Sequence, residues 1–131
     1  MFSKIALVSR ILLGLMFTVF GANGLMMVFT GAGFMPMPPQ PAVMVTIMTG
    51  FAATGYLLGL MFILQFISGV FLLSGFFVNA AIVFLGPILV NILCIHIAVE
   101  HSGLPMAIVI WILYLVIIKS RWSDFKQLTK K

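Results

Sequence analysis

"ILQFISGVFLLSGFFVNAAIVFLGPILVNILCIH", residues 63–96, contains no Lys, Arg, Asp or Glu. It is too long for one crossing, because a helix needs about 20 apolar residues to span the hydrocarbon core of a bilayer. Ser74 and Gly75 supply a place to turn, so the stretch reads as two membrane spans joined by a tight hairpin. Outward from it, the uncharged interval runs from Arg10 to Glu100, 89 residues in all. The chain has 131 residues, 63% hydrophobic and 7% charged, with a mean hydropathy of +1.30. A soluble domain of this size leaves much of its surface in water and has nowhere to hide so much apolar area. The class that remains is a polytopic membrane protein.

The net charge of +5 is held at the two ends. Lys4 and Arg10 precede the main apolar interval, and Lys119, Arg121, Lys126, Lys130 and Lys131 follow it. That placement argues against a nucleic-acid partner. Under the positive-inside rule it puts both termini in the cytoplasm, which requires an even number of crossings. Four crossings fit, at about residues 5–29, 55–74, 77–98 and 104–118, within a single domain. An N-terminal signal peptide is not expected, because the first apolar run lacks a clear small-residue cleavage site.

Between the first two spans lies "TGAGFMPMPPQPA", residues 30–42, with Pro36, Pro38, Pro39 and Pro41. Prolines so dense cannot continue a helix, so this is an extended outer loop. Residues 43–54 are apolar but too short to cross, and read as an interfacial or re-entrant helix over the outer mouth of an all-α, four-helix bundle. The tail, residues 119–131, spaces Trp122, Phe125 and Leu128 three apart among basic residues. That pattern suits a short amphipathic helix on the inner membrane surface.

Within the spans the informative residues are few. Gly14, Gly21 and Gly24 fall on one stripe of a helix, which lets a neighbouring span approach closely. Asn23 lies about 180° around from Gly14, so it meets a different neighbour or the helix unwinds at "GANG". Gln65, mid-span beside Ser68 and Gly69, reads as structural polar glue between helices. Pro87, Asn91 and Cys94 share a broad face, expected to point into the bundle with Cys94 as a buried, inert thiol. Asn91 would then bond a neighbouring helix or the carbonyl freed by Pro87. As the lone cysteine, Cys94 cannot form a disulfide within the chain. Asn23, His96 and Glu100 fall near the outer ends of their spans and, with the proline loop, are expected to line one outward-facing pocket. His96 and Glu100, four apart, are placed to pair. Ligand-binding candidates are therefore Asn23, Asn91, His96 and Glu100.

Catalytic and metal patterns are missing. There are no paired carboxylates, no CxxC, no HExxH and no phosphate-binding Gly-Lys-Ser/Thr. Cys94 and His96 project about 200° apart on a helix, so they cannot share a metal from one regular face. His96 is too near a span end for a haem ligand deep in the bundle. Neither metal nor haem is expected, and the chain is not expected to be an enzyme on its own.

Taken in order, "SRILLGLMFTVFGANG", "PMPPQP", "TGY", "SGVFLLSG", "GPILVNILCIH" and "SGLP" resemble the DoxX-like family of small bacterial membrane proteins, over nearly the whole chain. The resemblance implies a four-helix bundle in the bacterial cytoplasmic membrane and an association with redox chemistry. Relatives include subunits of thiosulfate:quinone oxidoreductase and members of membrane complexes that handle oxidative stress. Asn23, Asn91 and His96 match the family pattern. Gln65 stands where relatives commonly carry Glu, and Phe76 where they carry Arg, so two family charges are absent. The expected function is a membrane subunit binding a lipophilic small molecule, such as a quinone, for a redox partner protein. The alternative is a scaffold whose polar residues only hold the bundle together. Transport of a small solute would require a homo-oligomer.

Overall fold

The computed structural model describes residues 2–36 and 38–130. Its regular elements are all helical: α1 (Phe2–Thr30), α2 (Ala42–Ala53), α3 (Leu57–Ser74), α4 (Val78–Ala98), α5 (Leu104–Ser120) and α6 (Trp122–Phe125), with 3-10 turns at His101–Gly103 and Lys126–Thr129. By length and composition, α1, α3, α4 and the segment His101–Ser120 can each cross a membrane, and α2 cannot. These long helices pack as a ring, with α1 and α4 each set against α3 and α5. Leu13, Leu72, Leu85, Leu89 and Ile117 fill the centre.

Two turns set the helix bounds. Gly55 has φ 81°, a left-handed conformation that suits glycine and keeps it out of the helix. The span expected from Gly55 therefore begins at Leu57, where the Thr54 hydroxyl accepts the Leu57 N–H at 2.9 Å. At the hairpin, Gly75 (φ 79°) closes α3 and Phe77 (φ 56°) also takes the left-handed region, so α4 begins at Val78 rather than Phe77. The Phe77 ring packs 5.2 Å from that of Phe71, which helps hold this unfavourable backbone. Beyond α5 the chain folds back, and Asp124 Oδ2 accepts from Asn79 Nδ2 at 2.7 Å. Lys131, the last basic residue of the tail, lies outside the described residues.

The glycine stripe seats α1 on α3. A Cβ at Gly21 would lie 2.6 Å from the Phe66 nitrogen, and one at Gly14 would lie 3.0 Å from that of Leu73. Across the seam, a Cβ at Gly69 would collide with the Thr18 backbone nitrogen. Backbone-to-backbone approach of this kind is how spans gain packing energy without a hydrophobic force between them. Gln65 joins Ser68, Gly69 and Leu72 on the buried face of α3, itself only 7% exposed.

One expectation is overturned. Pro87, Asn91 and Cys94 do share a face of α4, but all three are exposed. The core-facing side is instead Val78, Ala81, Ile82, Leu85, Ile88 and Leu89. Tyr114 supplies the interhelical tie expected of Asn91: its hydroxyl donates to the Ile82 carbonyl at 2.7 Å, one residue before the Val83 carbonyl whose helical partner Pro87 removes. Trp111 Nε1 donates to the Leu89 carbonyl at 3.1 Å, a second tie between α5 and α4. Asn91→Leu should therefore leave stability in detergent within about 0.5 kcal/mol of the parent, the range of a surface substitution. A loss of about 2 kcal/mol in chemical denaturation would return the amide to the core.

Candidate functional site

At the end of the molecule where α1 finishes, α1 and α3 part. The seam is backbone against backbone at Gly21 and Gly69, but at Gly24 the near neighbour is the Phe62 ring. At Gly59 a Cβ would meet only Val28 Cγ1, at 3.8 Å. Into this widening gap comes α2, which packs on α3 and buries none of its own residues fully. The three helices line a half-open cavity of about 1030 Å³. Phe20, Gly24, Met27 and Val28 come from α1, Met44, Val45, Met48 and Ala52 from α2, and Leu58, Gly59, Phe62 and Ile63 from α3. Asn23, Gln40, Thr49 and Tyr56 give the lining its polar side chains.

Asn23 is the buried polar group of this cavity, 2% exposed. Helix α1 runs unbroken through "GANG", so the amide and the glycine stripe meet different neighbours. The neighbour of Asn23 is the loop that follows α1. Its Oδ1 accepts the Met35 N–H at 3.0 Å, and Gly33 sits so close that a Cβ would strike the same oxygen. Its Nδ2 has the Met27 sulfur at 3.8 Å, a weak acceptor for an amide that offers two hydrogens. Asn23 thus pins the proline-rich loop with its oxygen and keeps donor capacity at the cavity wall.

His96 and Glu100 come together, but elsewhere. His96 Nδ1 lies 2.9 Å from the Glu100 carbonyl oxygen and 3.4 Å from Glu100 Oε2. The carbonyl only accepts, so Nδ1 carries the proton. The ring fits against Gly103, where a Cβ would overlap it. Glu100 in turn accepts from the Ser102 and Gly103 N–H groups at 2.9 and 3.2 Å, capping the turn into α5. Neither residue lines the α1–α2–α3 cavity, because α4 lies across the ring from α1. Of the four candidates the structure therefore places one, Asn23, in the cavity. Two form a clasp between α4 and α5, and Asn91 stands on the outer face of α4. No cluster of three metal-ligating side chains occurs among the described residues.

The hydrogen bonds from Ser102, and next that from Gly103 and the field of His96, hold the Glu100 carboxyl below its ordinary pKa of 4.5. A carboxylate with a lowered folded-state pKa stabilises the fold above its ordinary pKa, and that contribution is lost as pH falls through the lowered value. Amide exchange at Ser102 and Gly103 should therefore speed up as pH drops below that value, after correction for the intrinsic rate. Glu100→Gln should show the faster exchange at neutral pH and little further change. A variant that matches the parent at every pH would remove Glu100 from this role.

Sequence reasoning missed the α2 wall. The signal was present, since Met44, Met48 and Ala52 recur every four residues along one stripe of a helix. No protein-family model matches the chain, and neither the curated proteins nor the solved structures give a match.

Proposed function

We propose that the chain is a four-helix bundle of the bacterial cytoplasmic membrane, with both termini inside, that binds a lipophilic carbonyl-bearing molecule in the α1–α2–α3 cavity. A quinone handed to a redox partner protein is the occupant favoured here, in keeping with the resemblance to DoxX-like proteins. The observation that carries this reading is the Asn23 amide in the apolar cavity wall, with a thioether as acceptor for its Nδ2. Ligand sites of this type are mostly apolar, about 300–1,000 Å³ in volume, with a few polar groups that fix orientation. A quinone carbonyl suits an N–H donor, and its isoprenoid tail suits the methionine and phenylalanine walls and the opening toward lipid. Gln65 is a neutral packing amide in this reading and Phe76 is exposed, so proton or electron transfer falls to the partner.

The test is mass spectrometry of lipophilic molecules that co-purify with the protein after mild extraction. Quinone near one per chain, and much less with Asn23→Leu, is the expected result. A stably bound protein partner with no lipophile in either sample would favour the scaffold reading instead.

A further inference from the structure

A second cavity, of about 340 Å³, lies at the opposite end, where α1 begins and α5 ends. Arg10 and Arg121 both line it, with the hydroxyl-bearing Ser3 and Ser120. Arg10 Nη1 donates to the Leu72 carbonyl at 2.9 Å, in the last turn of α3. Gly75 permits this approach, because a Cβ there would come within 2.5 Å of Nη1. One contact leaves most of the five guanidinium hydrogens free. No carboxylate pairs with either arginine among the described residues, and the Asp124 carboxylate accepts from Asn79. Both arginines are half-exposed and line the same recess, so it offers an anion two guanidinium donors at the end of helices of membrane-spanning length.

We infer that this cavity binds a phosphate oxyanion, supplied as the headgroup of an anionic phospholipid. Guanidinium groups match phosphate geometry with paired N–H donors. Lipid is favoured over free phosphate by the remaining wall. Leu7 lines the cavity and is 46% exposed, so an acyl chain has an apolar path from the headgroup onto the outer surface of α1. Basic pockets between membrane helices recognise lipid headgroups in this manner.

The full chain in detergent, titrated with phosphatidylglycerol and followed by native mass spectrometry, tests the inference. One phosphatidylglycerol should be retained per chain, and phosphatidylcholine should bind at least fivefold more weakly. Arg121→Gln should weaken phosphatidylglycerol at least fivefold, the rough size of one interfacial cation. Lys126→Gln removes the same charge from an exposed site outside the cavity and should change it less than twofold. Equal losses in the two variants, or equal retention of the two lipids, would overturn the site as diffuse surface attraction. Displacement of the lipid by millimolar inorganic phosphate would uphold the oxyanion chemistry and overturn its lipid source.

Discussion

Gly69→Leu is expected to keep α1 from docking on α3, lowering stability by about 3 kcal/mol or more and sharply reducing the yield of folded protein. The seam leaves no alternative, because the atom in the way is the Thr18 backbone nitrogen, which cannot swing aside as a side chain does. Gly24→Ala should cost less than Gly69→Leu, since its neighbour is the Phe62 ring, a side chain that can rotate. Gly50→Ala is the control: it sits in α2 with nothing within 4 Å of its Cβ position. There the better helix propensity of alanine should leave stability unchanged or raise it by up to about 1 kcal/mol. Melting in detergent and the monodisperse fraction after extraction are the readouts. If Gly69→Leu melts with the parent, the α1–α3 seam is not the contact described.

The helical organisation and the glycine seam were legible because they rest on strong local rules. Charge-free length marks spans, proline density marks a loop, and small residues at helical spacing mark close approach. The direction of α4 was not legible, for a reason specific to membranes. In water a buried face is the apolar one, but here the outward-facing residues Val83, Val90 and Ile97 are as apolar as the buried Ile82, Leu85 and Leu89. Polarity then suggests that Asn91 points inward, and the contacts of Tyr114 and Trp111 decide otherwise. The cavity was half legible. Asn23 was marked by its cost of burial, whereas the joining of α2 to α1 and α3 depends on how widely two helices part. His96 and Glu100 were rightly paired by spacing, but the ring of helices separates them from Asn23.

Asn23→Leu carries the second large effect. It removes the acceptor for the Met35 N–H and the donor at the cavity wall, at nearly constant volume. The Met35 N–H is half-buried, so losing its bond costs about 0.5–1.5 kcal/mol. The loop at residues 31–36 should therefore loosen, seen as faster amide exchange at Met35. Quinone affinity should fall about tenfold to a hundredfold, since each 1.4 kcal/mol is a factor of ten. Met27→Leu separates the two roles. It takes away the weak sulfur acceptor without touching the loop anchor, so exchange at Met35 should stay as in the parent, with affinity unchanged or improved. If Asn23→Leu loosens the loop and leaves affinity within twofold, Asn23 is an anchor and not a ligand contact.

Photo-crosslinking of the 131-residue chain in membranes with an azido-quinone, followed by peptide mapping, tests the central claim most directly. The cavity lies between α1, α2 and α3, so label should concentrate on Met44 and Met48 of α2 and on Met27 and Phe62 facing them. Excess unmodified quinone should suppress it, and Asn23→Leu should reduce it. Competable label on the exposed face of α4 around Val90 and Cys94, with α2 unlabelled, would contradict the account.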